Sequence, residues 1–239
     1  MPGLARALSK LGFCSRAQAA QLICAGKVSI NGAVRRDPET PVRLGKDRVE
    51  VDGQAITARE KIYLVLNKPR GIVTSASDEK GRDTVYSLFA AELPWVAPVG
   101  RLDKASEGLL LLTNDSEWAA RVTAPETHLD KTYHVQIGKI ADAPLLETLK
   151  SGVRTSEGDT LRVKSASLLR QGERNSWLEI SLDEGKNRHI RRMFETMGSE
   201  VLRLIRVAVG PLALGDLAKG AVRPLTPDEK LTLDRAMYR

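Results

Sequence analysis

Beyond residue 61 the chain is a succession of strand-sized apolar segments that do not alternate strictly with helices. They fall at 62–66, 108–113, 131–137, 161–169, 176–182 and 201–209, with helical periodicity near 84–91, 116–123, 142–150 and 188–197. A doubly wound parallel sheet needs a helical crossover between successive strands, and here several strands are neighbours in sequence. The pattern therefore predicts an α+β domain built on a mixed, largely antiparallel sheet.

The first 58 residues follow another rule. Leu4, Leu8 and Leu11 share one helical face, and Gly12 can end that helix. Ser15-Arg16-Ala17-Gln18 is a capping-box pattern, so a second helix starts there, with Gly26 as its stop. Asn31-Gly32 and Asp52-Gly53 each lie between apolar-alternating segments and predict hairpins. The polar run 57–61 reads as a linker. The expected division is a small unit of two helices and short strands over 1–58 and a larger domain over 59–239.

Charge separates the two parts further. Residues 1–36 hold Arg6, Lys10, Arg16, Lys27, Arg35 and Arg36 and no acid, within a chain of net charge +7. A cation-rich small unit suits a polyanion, because each phosphate it neutralises releases counterions. No apolar stretch reaches the length of a membrane span, and the first residues lack the pattern of a secretory signal. Cys14 and Cys24 form no CxxC pair and are expected to be reduced and packed, in the cytoplasm. His128, His134 and His189 are too scattered for a metal site and are expected at the polar surface or against the polyanion, and Trp95, Trp118 and Trp177 in the core or at an interface.

The stretch LSKLGFCSRAQAAQLICAGKVSINGAV, Leu8 to Val34, resembles the alpha-L RNA-binding motif of a small-subunit ribosomal protein. Such domains usually open on Arg-Leu-Asp-Lys, where this chain has Gly3-Leu4-Ala5-Arg6, which leaves fewer contacts at the helix start. The larger part carries LNKPRG at 66–71, VGRLDKASEGLLLLTND at 99–115, KTYHV at 131–135 and EGKNRHIRRMFETMGSEVLRLIRVAVG at 184–210. These ordered motifs resemble the ribosomal pseudouridine synthases of the RsuA family.

The resemblance implies isomerisation of a specific uridine in ribosomal RNA. The glycosidic bond is broken, the uracil turned over and the bond remade through carbon. The same base is kept, so neither cofactor nor metal is expected. A carboxylate is a suitable covalent nucleophile, and the resemblance makes Asp103 that group. A buried aspartate in this role has to be kept ionised, which a nearby arginine favours. Arg191, the basic residue after the apolar Ile190, is the expected partner, with Lys186 and Arg188 as alternatives. Tyr133 is expected to stack on the uracil and to take the proton from carbon. Arg101, Leu102 and Leu204 are expected to line the pocket.

Arg6, Lys10, Arg16, Lys27, Lys186, Arg188 and Arg192 are the candidate RNA contacts. The expected partner is ribosomal RNA or a ribosomal precursor particle. The EGKNRHIRRM and LIRVAVG segments look closer to large-subunit enzymes, with the small subunit as the other possibility. A monomer is expected, with no membrane partner. Two rivals are a non-catalytic ribosome assembly factor and a retaining glycosidase, which would need a second carboxyl such as Glu107 or Asp115 about 5 Å from Asp103.

Overall fold

The computed structural model describes residues 1–75, 81–89 and 93–238. In chain order the helices are α1 (Leu4–Lys10), α2 (Arg16–Cys24), α3 (Ser116–Thr123), α4 (Ala143–Ser151), α5 (His189–Thr196) and α6 (Pro227–Ala236). The early strands are β1 (Val28–Ile30), β2 (Ala33–Arg35), β3 (Val49–Val51), β4 (Gln54–Ala55), β5 (Tyr63–Lys68), β6 (Ala97–Val99) and β7 (Glu107–Thr113). The later ones are β8 (Lys131–Ile137), β9 (Val153–Arg154), β10 (Thr160–Leu161), β11 (Ser165–Gln171), β12 (Ser176–Leu182), β13 (Val201–Val209), β14 (Leu212–Ala213) and β15 (Val222–Pro224). They fall into two compact units: Met1–Tyr63 with Ala90–Val99 and Leu112–Ala120, and the remainder.

In the first unit, Ser15 accepts from the Gln18 amide and the Gln18 side chain returns to the Ser15 amide, the reciprocal cap expected of that tetrapeptide. β1 pairs antiparallel with both β2 and β3, and β3 with β4. Asn31 and Gly32 have φ of 51° and 81°, so both central residues of the first hairpin are left-handed, as a two-residue turn of this twist requires. Leu4, Leu8, Ile23, Val28 and Val42 close the small core. Cys14 lies within it, whereas Cys24 is exposed, not packed as expected. Cys24 is the last residue of α2, where the helix no longer covers it.

The second unit is built on a sheet whose order is β11-β12-β8-β13-β7-β5-β15, with β14 beside β13. β13 and β7 run parallel, whereas β11–β12, β12–β8, β8–β13 and β15–β5 are antiparallel. This is the mixed sheet that the segment spacing predicts. Strands β8, β12 and β13 have the expected bounds. Residues 161–169 divide differently: β10 ends at Leu161 and pairs with β9, and β11 starts only at Ser165. The helix expected near 84–91 is a short 3-10 turn, Val85–Leu88, and residues 90–91 lie outside the described residues. α4 and α5 pack Leu145, Leu149, Ile190, Met193 and Phe194 against Val135, Ile137, Leu178 and Ile180 of the sheet.

β7 is buried along its whole length. Its Gly108 has φ of 101°, and a Cβ there would stand 2.2 Å from the Arg206 carbonyl oxygen of β13. A side chain would collide with backbone that cannot step aside. Gly108→Ala is expected to cost about 3–5 kcal/mol, from overpacking and strained backbone together. Urea unfolding checks this, and a loss under about 1 kcal/mol would show that the strands can part.

Candidate active site

Asp103 lies on the turn that leads into β7, and that turn is fixed through its backbone. Five successive carbonyls, from residue 102 to residue 106, each accept a hydrogen bond. The Thr74 hydroxyl donates to Leu102 O (2.8 Å), and the Lys68 ammonium to Asp103 O (3.2 Å) and Ser106 O (2.9 Å). The Gly71 amide donates to Lys104 O (2.8 Å) and Arg191 Nη2 to Ala105 O (3.1 Å). Within the turn the Ser106 amide also donates to Asp103 O. Lys68 and Gly71 belong to LNKPRG, Arg191 to α5. Two sequence-distant segments, 68–74 and α5, therefore converge on these five residues and leave Asp103 exposed. Asp103 is exposed, not buried as expected, because its main chain and not its side chain holds the turn.

α5 explains where Arg191 points. Ile190, Met193 and Phe194 (i, i+3, i+4) face the core, so Arg191 falls beside that stripe. Its guanidinium spans two carbonyls, Ala105 O and Val201 O, each at 3.1 Å. Burial lowers its pKa, Arg188 adds to this, and Asp103 opposes it through space. Its hydrogen bonds go to backbone rather than to the Asp103 carboxylate.

Tyr133 and Leu204 are placed by the sheet. Tyr133 of β8 stands opposite Arg206 of β13, which stands opposite Gly108 of β7. Two strand spacings of about 4.8 Å thus separate Tyr133 from the strand that follows Asp103. Its ring packs against the buried cluster that includes Leu204. Leu102 is buried and Arg101 exposed on the approach to the turn.

The basic residues fare differently. Arg6 and Arg16 are exposed on the first unit. Lys10 is ion-paired with Glu117 (2.5 Å), and Lys27 stands 4.0 Å from Asp52. In the second unit Lys186 pairs with Glu184, Arg188 with Glu195, and Arg192 with Glu157 and Asp159. His189 is buried, against the surface position expected of it, with Nδ1 3.7 Å from Glu184. It starts α5 on the face that packs inward. His128 is exposed. Trp118 and Trp177 are buried and Trp95 half-buried.

Lys68 was not singled out from the sequence, and Glu107 only as the second carboxyl of a glycosidase. Lys68 is wholly buried, and that burial lowers its ammonium to about 8, opposed by Glu107 and Asp103. Its only sequence signal was a place within LNKPRG. Glu107 is 2% exposed and held by an Arg203 fork (3.0 and 3.0 Å) and by Lys219 (2.6 Å). Burial would raise its carboxyl, and these hydrogen bonds outweigh it and hold it below the usual range. Asp115 caps the start of α3 and accepts from the Tyr63 hydroxyl. Either carboxyl that could serve as the second group of a glycosidase is thus engaged elsewhere. Among the described residues no cluster of His, Cys, Asp and Glu fits a metal, and no helix is long and apolar enough to cross a membrane.

Known proteins match both parts of the chain. Residues 3–49 match the S4 domain. "Ribosomal large subunit pseudouridine synthase B" of Bacillus subtilis (strain 168) is 39% identical over 230 residues, covering 96% of this chain and 94% of that one. An "Uncharacterized RNA pseudouridine synthase" of Aquifex aeolicus (strain VF5) is 37% identical, over 96% and 92%. A crystal structure of a pseudouridylate synthase superposes with a TM-score of 0.69 at 29% identity, covering 98% of this chain and all of that one. Residues 62–196, more than half of the chain and the part that holds Asp103, Tyr133 and Arg191, match the RNA pseudouridylate synthases, and the chain belongs to that family.

Proposed function

We propose that the protein converts a uridine of ribosomal RNA, in the large subunit, to pseudouridine, with Asp103 as nucleophile. The observation that carries the reading is the turn: five consecutive carbonyls are bonded, and the one carboxylate on it is left free. A group held this way meets a substrate atom with little reorganisation. A non-catalytic RNA-binding factor has no use for that rigidity. The large-subunit preference is supported by the name of the Bacillus relative and by the EGKNRHIRRM and LIRVAVG segments.

The atoms balance without a cofactor. The bond between C1′ and N1 breaks and its electron pair leaves with the uracil. The base turns within the pocket and C5 bonds to C1′. C5 then loses its proton and N1 gains one. Asp103 engages the sugar, and Tyr133 stacks on the freed base, a usual way to hold an unstacked nucleobase. Arg191 sustains the negative charge of Asp103 through space. Arg101 contacts the flipped nucleotide's phosphate or fills the space it vacates. Leu102 and Leu204 are the apolar walls. Arg6, Lys10, Arg16 and Lys27 hold phosphates from the first unit, and Lys186, Arg188 and Arg192 from the second, the paired ones exchanging a carboxylate for phosphate. The protein works as a monomer in the cytoplasm.

Uridine tritiated at C5 tests this directly. Large-subunit RNA so labelled is expected to release tritium to water, small-subunit RNA not. No release from either, as free RNA or precursor particle, would sink the reading. Tyr133→Phe keeps the ring and removes the hydroxyl. It is expected to lower kcat about 100-fold with little change in KM. A Phe variant with full kcat would leave Tyr133 a stacking residue alone.

A further inference from the structure

Lys68 presents an electrostatic problem that its hydrogen bonds do not solve. Its ammonium is wholly buried, and its donors go to three carbonyls, of Pro69, Asp103 and Ser106. Carbonyls carry no net charge, and a buried cation without a countercharge is costly. Two carboxylates act on it through space, Glu107 more strongly than Asp103. Asp103 is exposed to solvent and is the group consumed when the nucleophile bonds to the sugar. Glu107 is buried and does not change during the reaction. It is the first residue of β7 and directly follows Ser106, whose carbonyl Lys68 binds. The fork from Arg203 and the bond from Lys219 keep it in place and ionised.

We propose that Glu107 is a positioning residue for the isomerisation: its buried carboxylate, pinned by Arg203 and Lys219, is the lasting countercharge that keeps Lys68 bound to the Asp103 turn. The inference rests on the reading of Asp103 as nucleophile. The charged groups concerned are Glu107 on β7, Asp103 on the turn, Arg203 on β13 and Lys219 on the segment before β15.

The sign of the pH dependence separates positioning from mere support. Lys68 sits at about 8 in the fold against an ordinary 10.5, so the unfolded chain binds the proton more tightly. Between those values this group makes the fold more stable as pH rises. Activity goes the other way, because deprotonation removes a donor from the turn and a cation from beside Asp103. Alkaline loss of tritium release with an intact fold is the expected result.

The decisive measurement is the titration of the Lys68 Cε resonance by 13C NMR on the full chain, alongside the pH profile of tritium release. Glu107→Gln is expected to move the Lys68 midpoint and the alkaline limb down by about one pH unit. Lys219→Met removes a cation beside Glu107 and is expected to move both up. A role in packing alone does not produce opposite shifts. An unchanged Lys68 midpoint in Glu107→Gln, or both variants moving the same way, overturns the proposal. Should Glu107→Gln not fold, Lys219→Met decides alone, since its side chain is 55% exposed. Absence of tritium release from the unaltered protein would count against Asp103, while the Lys68 midpoints would still decide the link from Glu107.

Discussion

Asp103→Asn is expected to lower tritium release on the order of 10⁴-fold or more, with RNA affinity changed less than about threefold. The size follows from chemistry: an amide of the same shape is no nucleophile, and neither Glu107 nor Asp115 stands free to replace it. Glu107 is locked by Arg203 and Lys219, and Asp115 by its cap and by Tyr63. The selectivity follows from the turn. Lys68, Gly71, Thr74 and Arg191 grip main-chain carbonyls, none of which the substitution touches. The fold and RNA surface should therefore survive, and circular dichroism with filter binding would show it. Loss of fold in Asp103→Asn, or activity within tenfold of the unaltered protein, would make Asp103 a structural residue.

That prediction draws on two kinds of knowledge, only one of which is legible in the chain. Asp103, Tyr133 and Arg191 could be named because their motifs are local strings. The sheet class could be read because strand spacing constrains crossovers, and β8, β12 and β13 alternate cleanly enough to set their bounds. The elements missed are those with little pattern. β9, β10, β14 and β15 are two or three residues long, and α6 has a capping box at Thr226–Glu229 but a weak apolar stripe. Lys68, and with it the place of Glu107 beside the turn, was missed for a different reason. A buried lysine and an exposed one have the same letter, and the meaning of Lys68 lies in carbonyls 35 and 38 residues away. Asp103 was expected to be buried for the same reason: burial of a loop residue depends on what other segments deliver to it. His189 was misplaced because periodicity around an arginine-rich helix does not reveal which of its first residues turns inward.

Arg191→Met is expected to reduce kcat by about 10²–10³, with KM altered much less. The methionine keeps the bulk beside Ile190 but strips two carbonyls, Ala105 O and Val201 O, of their donor. It also removes the cation that interacts with Asp103 through space. Arg191→Lys separates these two contributions. It restores the charge, but a single ammonium cannot span carbonyls from two segments as a planar fork does. If charge dominates, the lysine variant recovers most of kcat; if the clamp dominates, it stays near the methionine variant. The geometry favours the clamp, because both hydrogen bonds are direct and the action on Asp103 is through space. Arg191→Lys is therefore expected to remain at least tenfold below the unaltered protein. Urea unfolding would check that both variants keep their stability within about 2 kcal/mol. Full activity in Arg191→Met would mean that Lys68 and Gly71 hold the turn unaided and that Asp103 needs no arginine.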